Sequence, residues 1–257
     1  MLRYLMKPLK LKLQEHDTIT GMFPNPAANK ILVVIPAFNE ESRIQSVVQS
    51  SLSHFPVLVV DDGSSDDTAI VAQEAGAHVL RQIPNQGKGA ALRAGFHYAL
   101  DDGYAAVITL DADGQHNPDE IPLFDNLFKN THPDLIIGAR DFNKMPMIRR
   151  LANTLGRIIF SWALGQPIQD NQSGYRLISR RMMEAVLNST ESGFEFEVEM
   201  IVICARKGYL MDWMPIQTIY RDQGSHIRPL VHLRNFIRLS WKTYLSRKTI
   251  HSQSERT

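Results

Sequence analysis

The chain has a single cysteine, Cys204, so neither a disulfide framework nor a cysteine-based zinc site is available to it. Set in the apolar run EMIVICARKG, that thiol reads as a small buried hydrophobe, which fits a reducing compartment. No window offers the roughly 18 consecutive apolar residues that a membrane span requires; RIIFSWALGQPI comes nearest and is interrupted. The start, MLRYLMKPLKLKL, is broken by Lys7, Pro8, Lys10 and Lys12 and lacks the continuous apolar core of a secretory signal. Net charge is nearly absent as well, with 28 Lys and Arg against 27 Asp and Glu, so no whole-molecule field draws nucleic acid. Internal repeats and low-complexity tracts are missing. One local lack matters more. IRPLVHLRNFIRLSWKTYLSRK holds Arg228, Arg234, Arg238, Lys242, Arg247 and Lys248, and no acid follows before Glu255. A basic, Trp- and Phe-bearing stretch of this kind predicts an amphipathic helix that lies on an anionic membrane surface or docks on its own domain or a partner.

What is present is enough for a large core, 44% hydrophobic residues in a chain of 257. The expected organisation is a leader over 1–29, on a membrane surface or disordered, one domain over 30–226 and a basic amphipathic helix and tail over 227–257. Within the domain, KILVVIPAFNE reads as a strand and ESRIQSVVQSSL as a helix, VLVVDDG as a strand and SSDDTAIVAQEAG as a capped helix. The alternation continues with AHVLRQ, GKGAALRAGFHYALDDG, AAVITLDADG, a helix from Pro118 to about Asn130, and the strand DLIIGAR. Such a rhythm predicts an α/β fold, a mostly parallel sheet flanked by helices, with ligands gathered at the carboxyl ends of its strands. The second half is less regular: a helix across MIRRLANTLGRIIFSWALG, a polar turn at QDNQSGYRL, a helix near FEFEVEMIVICARKG and a strand pair around YLMDWMPIQTIYRDQGS.

Three polar motifs fall at strand ends. In LDADGQHNP, Asp111, Asp113 and Gln115 occupy alternate positions, and on extended backbone their oxygens would converge on one point. An all-oxygen set suits Mg²⁺ or Mn²⁺, the remaining ligands being phosphate oxygens; a solvated acidic turn is the plainer alternative. In VVDDGSSDDT, Asp61 and Asp62 are surplus to helix capping, which Ser64, Ser65 and Asp66 can supply. A carboxylate so placed can accept from a ribose hydroxyl or a base N–H. Pro36, Phe38 and Glu40 of IPAFNEE would line the same crevice. Gly87 and Gly89 open a helix beside Lys88, a setting that offers N–H groups and a cation to an anion, although the P-loop spacing is absent.

Taken in order, IPAFNEE, VVDDGSSDDT, NQGKGAA, LDADGQHNP and GAR resemble glycosyltransferase family 2, in the branch of dolichol-phosphate mannosyltransferases and polyprenyl-phosphate hexosyltransferases. The resemblance continues through DNQSGYRL, FEFEVEM and IYRDQGS, from about Lys30 to His226. It implies a nucleotide-diphospho-sugar transferase fold of the GT-A type. It further implies a metal site at Asp111, Asp113 and Gln115, and a donor site at Pro36, Phe38, Glu40, Asp61, Asp62 and Lys88. Arg140, Arg149 and Arg221 match basic residues around the acceptor's phosphate, with Arg140 and Arg221 joining Asp113 in the catalytic set. Two positions depart from the family. Asn153 stands where a serine is common, and His226 stands where a lysine often follows Ser225. A histidine is charged only below its ordinary pKa of about 6.5, so it does not replace lysine at neutral pH unaided.

The implied reaction is inverting, metal-dependent transfer of mannose from GDP-mannose or glucose from UDP-glucose to a polyprenyl phosphate at the cytoplasmic face of a membrane, alone, as a homo-oligomer or with a membrane partner. A phosphate acceptor is already anionic and needs positioning more than a general base. Transfer to a hydroxyl would need a base, for which Glu195, Glu197 and Glu199 are the candidates; helical spacing otherwise places them on a polar face. A non-catalytic nucleotide-sugar-binding subunit is the rival from another class.

Overall fold

Every residue of Ile31–Ala37 is buried, as befits a parallel strand covered on both faces. In the computed structural model this strand, β1, lies within a seven-stranded sheet. The structure describes residues 30–145, 147–193, 195–219, 237, 238, 240, 241 and 243–245. The expected leader therefore lies outside the described residues, as do Arg221 and His226 and the side chain of Arg149.

After β1 come α1 (Glu41–Leu52), β2 (Val57–Asp61), α2 (Thr68–Glu74), β3 (His78–Arg81), α3 (Lys88–Asp101) and β4 (Ala106–Thr109). Then follow α4 (Ile121–Thr131), β5 (Leu135–Arg140), α5 (Met147–Leu164), β6 (Arg176–Ser179), α6 (Arg180–Val186), α7 (Glu195–Arg206) and β7 (Met211–Ile216). The sheet order is β3-β2-β1-β4-β6-β5-β7, with β6 antiparallel to both neighbours and the other pairs parallel. One face packs α1, α2 and α4 through Ile44, Val48, Ala72, Ile121 and Phe124; the other packs α3, α6 and α7 through Leu92, Phe96, Met183, Phe196 and Ile201. The chain leaves β1 toward β2 on one side and returns to β4 on the other, and ligands of open α/β sheets collect at such a reversal.

Two elements differ from the sequence reading. QDNQSGYRL was expected as a turn alone, yet its last residues enter β6, and α6 follows without a break. Four residues opening on a charged Arg176 are too few and too mixed to display strand periodicity. The expected strand pair near the end supplies one strand, β7, parallel to β5, and beyond it a lone antiparallel bridge between Thr218 and His116. Asp134, at the head of β5, accepts from Arg181 Nε at 2.9 Å, Leu210 N at 3.0 Å and Ser179 Oγ at 3.2 Å. That buried carboxylate ties β5 to β7 and α6 at the end of the sheet away from the crevice.

Candidate active site at the switch point of the sheet

The ends of β1, β2 and β4 meet where the strand order reverses. After β1, Asn39 adopts φ 56°, its N–H donates to Ser64 Oγ at 2.9 Å, and its Oδ1 accepts from Ser65 N at 2.9 Å. This joins the β1 and β2 loops. Pro36 is buried within β1, Phe38 is half exposed at the rim, and Glu40 is paired with Arg43 at 2.8 Å.

Asp61 and Asp62 end β2, both buried, with different partners. Asp61 Oδ1 accepts from Ser64 N at 3.1 Å, and its Oδ2 lies 2.9 Å from Arg81 Nε. Asp62 accepts from Gln86 N at 2.8 Å and Gly87 N at 2.7 Å, and so clamps the turn leading into α3. Burial and the neighbouring Asp61 raise the Asp62 carboxyl above its ordinary value, against the two backbone donors.

That turn was read as an anion cradle. Its amides are otherwise engaged: Gly87 N by Asp62 and Gly89 N by Ser192 O at 2.7 Å. The glycines serve close packing instead. A Cβ at Gly87, which has φ +94°, would sit 2.6 Å from Ser192 O, and one at Gly89 would sit 2.7 Å from Phe196 Cβ. Drawing α3 against the start of α7 brings Lys88 to Glu197, so Lys88 Nζ lies 2.5 Å from Asp111 Oδ1 and 3.0 Å from Glu197 Oε1. Burial works against the ammonium, and the two carboxylates outweigh it, holding the Lys88 pKa above its usual value.

Asp111 and Asp113 follow β4, but not on extended backbone. The chain turns at residues 112–114, with Gly114 at φ 71°, and Asp113 Oδ1 accepts from Gln115 N at 2.9 Å. The two carboxylates are neighbours through that turn rather than through strand alternation. Burial and the Asp111 charge both raise the Asp113 pKa, while Lys88 and His116 hold Asp111 well below the carboxylate range despite its own burial. Asp111 Oδ2 lies 3.2 Å from His116 Nε2. Asp113 forms no ion pair with a basic side chain among the described residues. Gln115 is tied down through its backbone, its carbonyl accepting from Ile219 N at 2.9 Å.

Two hard carboxylates fit Mg²⁺ or Mn²⁺ completed by phosphate oxygens better than a protein-only cage, His116 being engaged with Asp111. No group of three acidic, histidine or cysteine side chains able to hold a metal occurs among the described residues.

At the end of β5, Arg140 grips Asp170 in a bidentate pair, Nε to Oδ2 at 2.6 Å and Nη2 to Oδ1 at 2.9 Å. Asn153 of α5 donates to Met145 Sδ at 3.1 Å. Sequence reasoning missed Asp170, Arg176 and His116. Arg176 is 1% exposed, donates to Ser173 O and Glu197 O, and stands among the charges of Glu197, Asp170, Asp111 and Arg140. An arginine directly ahead of the apolar LIS of a strand was the available signal. Of the two readings of Glu197, a polar helix face or a place at the site, its 3% exposure rules out the first.

The model of the family described as Glycosyl transferase family 2 matches residues 32–187, more than half of the chain. The chain belongs to this family. Among the relatives of this glycosyltransferase is an undecaprenyl-phosphate mannosyltransferase of Micrococcus luteus, 31% identical over 210 residues, covering 76% of this chain and 86% of that one. A dolichyl-phosphate beta-glucosyltransferase of Trichomonas vaginalis is 26% identical over 234 residues, covering 80% of this chain and 70% of that one. Glucosyl-3-phosphoglycerate synthase of Mycobacterium tuberculosis, crystallised with Mn²⁺, UDP-glucose and phosphoglyceric acid, shares the fold with TM-score 0.67 at 21% identity, covering 89% and 86%. The sheet of this glycosyltransferase is thus of the GT-A type.

Gly174 offers a test of the geometry. A Cβ there would lie 2.6 and 2.7 Å from the Asp111 carboxylate oxygens. Gly174→Ala is expected to push Asp111 aside and lower sugar transfer about a hundredfold, with a cooperative thermal melt retained; unchanged turnover would show that Asp111 tolerates displacement.

Proposed function

We propose that this glycosyltransferase moves mannose or glucose from a nucleotide diphosphate sugar to a polyprenyl or dolichyl phosphate, with inversion at the anomeric carbon. The observation that carries the proposal is the meeting of Asp61, Asp111 and Asp113 at one switch point, with the Arg140–Asp170 pair at the end of β5. Asp61 Oδ2 is buried and, although near Arg81, accepts no well-directed hydrogen bond, which suits it to a base or ribose donor. Lys88 would place a cation behind the diphosphate, and Phe38 would flank the nucleotide from the rim.

Asp111 and Asp113 would hold Mg²⁺ or Mn²⁺, which when bound neutralises charge on the leaving diphosphate as a Lewis acid. For the acceptor, Arg140 and Asn153 and, from the sequence alone, Arg149, Arg221 and His226 would gather the lipid phosphate. Glu197, the carboxylate best buried to serve as a base, is already paired with Lys88. That favours a nucleophile that needs no deprotonation, and the relatives' names point to polyprenyl and dolichyl phosphates. Such an acceptor would place the enzyme at the cytoplasmic face of a membrane. No helix among the described residues is long and apolar enough to cross one.

The test is incubation of the full chain with labelled GDP-mannose and, in parallel, UDP-glucose, together with polyprenyl phosphate and Mg²⁺ or Mn²⁺. Butanol-extractable label from one donor, lost on chelation, is the expected result. Donor binding without lipid product from either would overturn the acceptor assignment and favour a hydroxyl acceptor or a binding-only role.

A further inference from the structure

The chain that leaves β7 turns back over the sheet. Two strands, β5 and β6, separate β7 from β4, a distance of about 14 Å at the usual strand spacing. Yet Thr218 bridges His116, in the loop that follows β4, and Ile219 N donates to Gln115 O at 2.9 Å. Residues 217–219 therefore form a strap that crosses the carboxyl end of β5 to reach the loop carrying Asp111, Asp113 and Gln115. Ile216 roots the strap on β5, where it packs so closely that a Cβ on Gly138 would lie 2.8 Å from Ile216 Cδ1. Beyond that root apolar packing contributes little, since Gln217 and Ile219 are exposed. Hydrogen bonds of its backbone hold the strap, and segments held in that way stand at the low end of local stability.

One side chain anchors it. Glu120, just ahead of α4, accepts at Oε1 from Gln217 N at 2.9 Å. Glu120 is 8% exposed, and its Oε2 is buried and meets no hydrogen-bond donor among the described residues. Burial raises its carboxyl pKa, with the Gln217 N–H and His116 opposing. A carboxylate buried with a single donor is a cost to the fold, and the contact it makes in return is the one that fixes the strap. From there the path to the site is short. The strap holds Gln115 through its carbonyl and His116 through the bridge. Tyr175 lies against the His116 ring, with centroids 5.2 Å apart, and His116 Nε2 is 3.2 Å from Asp111 Oδ2.

We propose that Glu120 is a positioning residue for the metal-holding loop: by pinning the strap at Gln217 it sets Gln115 and His116, and through His116 the orientation of Asp111 toward Mg²⁺ or Mn²⁺. Its role is a hydrogen bond to the backbone and not a charge. Metal affinity then depends on a residue outside the set of metal ligands, as it does wherever outer partners orient the inner ones. The inference rests on the metal site at Asp111 and Asp113 and is independent of the acceptor.

The experiment is titration of the full chain with Mn²⁺ in the presence of UDP and, in parallel, GDP, the free Mn²⁺ being read by electron paramagnetic resonance. Glu120→Ala is expected to weaken Mn²⁺ binding about tenfold. Glu120→Gln, whose carbonyl oxygen still accepts from Gln217 N, is expected to bind as the wild type does. Asp134→Ala removes a buried carboxylate at the opposite end of the sheet, and should lower the melting temperature while leaving Mn²⁺ binding unchanged. That variant separates loss of stability from loss of the anchor. Wild-type-like binding by Glu120→Ala, an equal loss in Glu120→Gln, or an equal loss in Asp134→Ala would overturn the proposal. A wild type that takes up no Mn²⁺ with either nucleotide would overturn the metal site and this inference with it. Sugar transfer enters none of these readings, so a wrong acceptor leaves them standing.

Discussion

Asp113→Ala is expected to lower sugar transfer about a thousandfold or more, roughly 4 kcal/mol of transition-state stabilisation. The reason lies in what Asp113 does not have. Asp111 is neutralised by Lys88 and His116, whereas Asp113 meets one backbone N–H, and burial and its acidic neighbour oppose its charge. A carboxylate kept ionised there serves an incoming cation better than it serves the fold. Asp113→Asn retains the shape and removes the repulsion, so it should melt at the wild-type temperature or above while transfer is lost. The check is a matched pair of a melting curve and an initial-rate assay. A marked fall in melting temperature for Asp113→Asn would instead make the residue structural.

Lys88→Met is expected to damage both stability and transfer. The ammonium sits between Asp111 and Glu197, and its removal leaves two carboxylates facing one another out of water. Breaking a buried pair by deleting one partner costs about 3–5 kcal/mol, which for a domain of this size lowers the melting temperature by roughly 6–20 °C. Adding Glu197→Gln removes the stranded charge and should recover part of the stability. Transfer should not recover if, as proposed, Lys88 is the cation behind the diphosphate. Thermal melts of the two single variants and the double variant check this; additive losses would show that Lys88 and Glu197 do not act as a pair.

The parts legible in the sequence were those fixed by short-range pattern. The uninterrupted apolar runs of β1, β2 and β4 announced buried parallel strands, and the acids that interrupt them at 61, 62, 111 and 113 marked the crevice. Asp111 and Asp113 drew notice through an argument about extended backbone that the turn at Gly114 replaces. What stayed hidden depends on partners remote in sequence. Nothing in FEFEVEM separates Glu197, which is buried against Lys88, from Glu199, which accepts from Ser189 near the surface. Asp170 sits in a stretch that reads as a polar turn, and only the fold brings it to Arg140. Helix α5 shows the converse limit: its period announces an amphipathic helix, but a period does not say which stripe faces the core.

The proposed reaction takes a phosphate, and not a hydroxyl, as its nucleophile. The most direct measurement offers the enzyme a polyprenyl phosphate and the same polyprenol without its phosphate, each with the labelled donor it uses and Mg²⁺ or Mn²⁺. Product from the phosphate alone is the predicted result. Comparable glycosylation of the free polyprenol would contradict it, since the site would then have to contain a general base.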